Sequence, residues 1–129
     1  MTGVLLDTHV WFWYLVGSRR LPVRIRRAIE RSAGNCWLSP ISVWELGMLV
    51  DRDRIRLHSS YRAWVTEAFE RLPLREAPLS FDVALRSREI VLPTKDPADH
   101  FLAATALTHD LRLATVDRHL LAATWLPTV

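Results

Sequence analysis

The stretch Gly3-Val4-Leu5-Leu6-Asp7-Thr8-His9-Val10-Trp11 decides the fold. Its apolar run is too short for a buried helix and stops at Asp7-Thr8, so it reads as a buried strand feeding a helix that carries Val10, Trp11, Phe12, Tyr14 and Leu15. The same alternation continues outward from it. Leu21-Pro22 opens a second helix with Val23, Ile25, Ala28 and Ile29 as apolar contacts, and Gly34-Asn35 ends it. Cys36 to Leu38 is a second short strand, and Ser39-Pro40 begins a helix, Ile41 to Val50, that is apolar almost all round and so is expected inside the molecule. An amphipathic helix near Tyr61 to Leu72, an extended piece at Arg75 to Ala77 and a helix near Phe81 to Ile90 follow. Asp96-Pro97 opens a helix to about His109, Leu111 to Thr115 reads as a strand, and a helical turn at Arg118 to Ala122 leads to an end strand at Trp125-Leu126. Strands alternating with helices, without repeats or low-complexity tracts, predict one α/β domain over residues 1–129 with a mostly parallel sheet.

Composition is consistent with that plan. Half of the 129 residues are apolar, enough for one continuous core. A single cysteine, Cys36, excludes an internal disulfide, and the scattered histidines show no zinc-ligand spacing. Asp7 and His9 interrupt the first apolar stretch, and charges recur throughout, so neither a signal peptide nor a membrane span is expected. The sequence therefore predicts a soluble, cytoplasmic protein. The net charge is +3, and sixteen of the seventeen basic residues are Arg, the side chain suited to bidentate phosphate contact. Arg20, Arg24, Arg27 and Arg31 recur at helical spacing as a basic stripe, readable either as a solvated face or as a track for an RNA backbone.

In an open parallel sheet the chemistry gathers at the carboxyl ends of the strands. Asp7 ends the first strand, and Asp117 follows the Leu111 to Thr115 strand. Glu45 lies in the second turn of the helix that leaves the Cys36 to Leu38 strand, and Asp99 in the first turn of a helix starting at the same edge. Glu45 is the one charged residue between Cys36 and Val50, and a carboxylate on that apolar face is costly without a partner. An Arg from elsewhere is the plain alternative. Asp7 has a capping reading as well, and Asp96, with Pro97 behind it, reads chiefly as an N-cap. Four converging carboxylates raise one another's pKa unless a cation neutralises them. Carboxylate oxygens without Cys or paired His suit Mg²⁺ or Mn²⁺, ions that activate water and stabilise charge developing on a phosphodiester.

The pattern resembles the PIN-domain family, and within it the VapC-type toxins. The matching segments are Leu5-Leu6-Asp7-Thr8-His9-Val10-Trp11, Ile41-Ser42-Val43-Trp44-Glu45-Leu46, Asp96-Pro97-Ala98-Asp99 with Leu102-Ala103-Ala104-Thr105-Ala106, and Thr115-Val116-Asp117. Their order and spacing span nearly the whole chain. The resemblance implies an α/β/α sandwich, an Mg²⁺- or Mn²⁺-dependent endoribonuclease acting on RNA, a homodimer and a cognate antitoxin. It places the catalytic and metal-binding acids on Asp7, Glu45, Asp99 and Asp117, with Thr8, Thr115 and Asp96 as supporting residues. Lys95 and His100 flank the third motif. An antitoxin tail covering the acids would carry Arg or Lys, with apolar residues along the helices near Trp44 and Trp64. A catalytically inactive PIN-like module that binds a protein partner is the competing reading, against which the four acids speak. A phosphoacceptor domain would want paired acids near the first strand, and only Asp7 and Glu30 precede Glu45.

Overall fold

The computed structural model describes residues 2–129. Four short strands, β1 (Val4–Leu6), β2 (Cys36–Leu38), β3 (Arg75–Glu76) and β4 (Arg112–Ala114), form one sheet in the order β3-β2-β1-β4, every pair parallel. Seven helices complete the described chain: α1 (Thr8–Val16), α2 (Val23–Arg31), α3 (Pro40–Asp51), α4 (Tyr61–Arg71), α5 (Phe81–Glu89), α6 (Pro97–Thr108) and α7 (Arg118–Leu121).

The strand pleat assigns these helices to two layers. Successive side chains of a strand point to opposite faces. Val4 and Leu6 of β1, with Cys36, Leu38 and Ala114, pack on one side against Val10, Trp11, Ile25, Ile29, Leu46 and Trp64. Leu5 and Leu113 face the other side and meet Leu102, Ala103 and Ala106 of α6 and Leu120 of α7, with α5 lying along α6. The result is the expected α/β/α sandwich.

Local chemistry sets the helix starts. Ser39 caps α3, accepting from the Ile41 N–H at 3.1 Å, and Asp96 caps α6, accepting from the Ala98 N–H at 3.0 Å, each with proline next. Gly17, at φ 66°, ends α1 in the left-handed conformation that glycine adopts without strain.

Two elements depart from expectation. The C-terminal strand does not form at Trp125-Leu126, which lie in a turn closed by the Leu126 N–H on the Ala123 carbonyl at 3.0 Å. The edge pairing with β4 falls instead around Thr128, where Leu113 donates to the Pro127 carbonyl and Val129 donates back to Leu113. Pro127 has no N–H to give a longer ladder. Helix α3 also lies less deep than its composition predicts. Only Ser42 and Leu46 are buried in it, and Trp44 is 59% exposed, because α1, α4 and α6 pack against this helix and leave the Trp44 side open. Among the described residues no helix is long and apolar enough to cross a membrane. The Arg20, Arg24, Arg27 and Arg31 stripe is exposed.

Candidate active site

The strand order creates the site. From β1 the chain steps to β2 and β3 on one side, then returns to place β4 on the other, so the direction of winding reverses between β1 and β4. At such a reversal the connecting segments part and leave a crevice at the carboxyl ends of the strands. Asp7 follows β1 at that point, and its backbone N–H donates to the Ala114 carbonyl of β4 at 3.0 Å.

Asp7 is buried and held from two sides. One carboxylate oxygen accepts from the Thr8 backbone N–H at 2.7 Å, and the other from the Thr115 hydroxyl at 2.6 Å. Thr115 in turn accepts from the Asp117 N–H at 3.0 Å, tying the ends of β1 and β4 together. Burial pushes the Asp7 carboxyl above the usual range, opposed by these hydrogen bonds and the neighbouring His9 and assisted by the charge of Asp117.

Glu45 has a different partner from the arginine considered above. The Thr8 hydroxyl donates to its Oε1 at 2.5 Å. Its carboxyl is likewise raised by partial burial, with the charges of Asp7 and Asp96 adding to the effect. Asp117 caps α7, accepting from the His119 N–H at 2.8 Å and the Leu120 N–H at 3.4 Å. This capping role coexists with its place in the acid group.

Asp99 is the least compensated of the four. It is buried in the first turn of α6, and no hydrogen bond from the protein lowers its pKa. Burial first, then the charges of Asp96, Asp117, Asp7 and Glu45, push its carboxyl up to about 7. All four predicted acids, and Asp96 besides, are thus within electrostatic reach of one another at one edge of the sheet. Asp96 belongs to this group more fully than its capping signature suggested, since its charge is the foremost of those acting on Asp99. The two ion pairs among the described residues are His58 with Glu67 and His119 with Asp117, so no Arg or Lys neutralises the cluster. His100 is engaged elsewhere, with Nε2 at 2.9 Å from the Thr94 carbonyl oxygen.

The donor set suits a hard divalent cation: carboxylate and hydroxyl oxygens, no thiolate, and like charges that stay protonated or repel unless a cation offsets them. As the side chains stand, no three His, Cys, Asp or Glu of the described residues close into a ready-made metal cage. Beside the acids a cleft of about 690 Å³ opens, lined by Trp44, Glu45, Met48, Arg52, Asp96 and Pro97 among others.

The raised carboxyls give a pH dependence whose sign follows from linkage. Between the ordinary carboxyl range and pH about 7 the folded protein holds more protons at Asp99 than the unfolded chain does, so stability falls as pH rises through that window. Asp7 and Glu45 act in the same direction. Metal-free protein is expected to melt at a higher temperature at pH 5.5 than at pH 8, with the difference reduced in Asp99→Asn. Thermal melts in chelator at the two pH values check this, and equal slopes in wild type and variant would contradict it.

Comparison with known proteins supplies an independent line. The family model described as PIN domain matches residues 4–126. Over 123 residues the chain is 36% identical to Ribonuclease VapC22 of Mycobacterium tuberculosis (strain ATCC 25618 / H37Rv), covering 93% of this chain and 91% of that protein. The crystal structure of FitAcB from Neisseria gonorrhoeae superposes with a TM-score of 0.64 at 27% identity, over 97% of this chain and 95% of that one. A toxin-antitoxin complex from Klebsiella pneumoniae shares the fold, with a TM-score of 0.65 at 19% identity over 95% of this chain and 93% of that one.

Proposed function

The chain belongs to the PIN-domain family, and from that premise we propose that it is an endoribonuclease toxin that hydrolyses RNA with the help of Mg²⁺ or Mn²⁺ and is silenced by a cognate antitoxin. The observation that carries the catalytic reading is Asp99: a buried carboxyl surrounded by four other acids, with no Arg or Lys among the described residues paired to them. Asp7, Glu45, Asp99 and Asp117 would hold the cation. Once bound, it would supply charge stabilisation and activation of a water for in-line attack on phosphorus.

The chain's own residues do the positioning. Thr115 and the Thr8 N–H fix both oxygens of Asp7, and the Thr8 hydroxyl orients Glu45, so one short segment coordinates two of the acids. Asp117 is steadied by the start of α7.

The antitoxin part of the proposal rests on the VapC-type motifs and on the identity to a VapC ribonuclease. An inhibitory tail bearing Arg or Lys would match the unneutralised acids. Its apolar residues would lie along the helices near Trp44 and Trp64, and of these two side chains Trp44 is the accessible one. The protein would act in the cytoplasm as a homodimer. Phe81 and Leu85 on α5, with Val91 just beyond it, are 91%, 64% and 84% exposed, an apolar surface suited to a second copy.

Purified protein is expected to cleave single-stranded or loop regions of RNA with Mg²⁺ or Mn²⁺ and to lose that activity in excess EDTA. An Asp7→Asn preparation serves as the control for contaminating nuclease. Cleavage that persists in EDTA, or equally in the control, would overturn the metal-dependent mechanism.

A further inference from the structure

Trp44 occupies an unusual place for so large an apolar side chain. It is 59% exposed and immediately precedes Glu45 on α3. The other buried or half-buried tryptophans find ring partners: Trp11 with Trp64 and Phe69, Trp13 with His9, and Trp37 with His109. Among the described residues no such ring contact covers Trp44. Trp44, Met48 and Arg52 follow one another at four-residue spacing, so they lie along one face of the helix, and all three line the cleft that Glu45 and Asp96 also border. Arg52, at the helix C-cap, is exposed and makes no ion pair among the described residues.

This face has the composition of a single-strand nucleic-acid platform: an open aromatic surface, a polarisable apolar neighbour and a free guanidinium. Aromatic stacking accepts any unpaired base, and Arg supplies a phosphate contact. Arg52 lies eight positions after Trp44, about 12 Å along the axis, a span suited to an extended strand rather than to one nucleotide. Continuity with Glu45 means that a strand lying on this face would run directly into the acid group.

We propose that Trp44 stacks on an unpaired base of the substrate next to the cleaved bond, with Arg52 holding a phosphate further along the strand, so that α3 both feeds RNA into the site and restricts it to single-stranded segments. This rests on the ribonuclease reading above. The platform selects for unpaired bases because a base within a duplex has both faces already stacked.

The test compares wild type, Trp44→Ala, Trp44→Phe and Arg52→Ala in two measurements. Binding is followed by fluorescence anisotropy with a labelled pool of random single-stranded 20-mers in Ca²⁺, and cleavage by steady-state kinetics in Mg²⁺. Trp44→Ala is expected to weaken binding about tenfold or more and to raise KM with little change in kcat, while Trp44→Phe keeps most of the affinity. Arg52→Ala is expected to weaken binding and to flatten its salt dependence. The exposure of both side chains makes misfolding an unsuitable explanation, and matched melting curves check that. Wild-type cleavage and binding with Trp44→Ala indistinguishable from it would overturn the platform alone. Loss of a protein partner in Trp44→Ala with RNA affinity intact would also overturn it, assigning the indole to protein contact. Absence of both cleavage and binding in wild type would remove the ribonuclease reading and the platform together.

Discussion

Asp99→Asn is expected to reduce RNA cleavage by about a hundredfold or more while leaving the metal-free protein as stable as wild type or more so. The activity loss follows from removing a charge from the oxygen set proposed to hold the cation, comparable with losing one group that stabilises transition-state charge. The stability result follows from the environment of the carboxyl. Burial and the charges of Asp96, Asp117, Asp7 and Glu45 all oppose its ionisation, and no hydrogen bond to it is lost on substitution. Against this stands the favourable position of an acid in the first turn of α6, worth roughly 0.3–1 kcal/mol. Near neutral pH the two effects oppose each other, so the net change is small or stabilising. Mg²⁺ should raise the melting temperature of wild type more than that of the variant, since a ligand bound to the folded state alone stabilises it. Asp96→Asn is the comparator: Asn caps a helix about as well as Asp, so stability should hold and activity fall only modestly. Full activity in Asp99→Asn with an undiminished Mg²⁺ shift would remove Asp99 from the site.

Trp11→Ala is expected to be the most damaging change to the fold, lowering stability by about 3–5 kcal/mol. Native domains hold only about 5–15 kcal/mol in all. The corresponding fall in melting temperature is roughly 10–20 °C. Trp11 is fully buried on α1, edge-on to Trp64 at 5.7 Å and stacked on Phe69 at 6.0 Å, so it joins α1 to α4 over the sheet. Its indole N–H finds no partner among the described residues. Trp11→Phe removes that unsatisfied donor while keeping most of the ring contact, and should cost less than about 2 kcal/mol. Because α1 begins at Thr8, directly after Asp7, the alanine variant should also lose cleavage through disorder at the start of the helix. Differential scanning calorimetry of the three proteins checks the order. A Trp11→Ala melt within a few degrees of wild type would contradict the assigned core.

Much of the site was legible because it depends on neighbours in the chain. The apolar run Val4–Leu6 closed by Asp7, the Ser39-Pro40 and Asp96-Pro97 helix starts, and Asp117 before α7 are all governed by residues within one helical turn. Their alternation specifies a parallel sheet, and such a sheet collects strand-end acids along one edge. Asp7, Glu45, Asp99 and Asp117 are four such acids.

What only the tertiary structure decided are matters of long-range pairing. That β4 lies beside β1, allowing Thr115 to hydrogen-bond Asp7 across 108 residues, depends on which face of the sheet each helix covers, and no local pattern encodes it. The same holds for Thr8 as the partner of Glu45, for the charge of Asp96 acting on Asp99, and for the pairing at Thr128 rather than at Trp125-Leu126. Helix α3 shows the reason most directly. Its sequence is apolar on nearly every side, yet exposure is set by how many neighbours the rest of the fold supplies, and here they cover Ser42 and Leu46 while Trp44 stays open beside the acids.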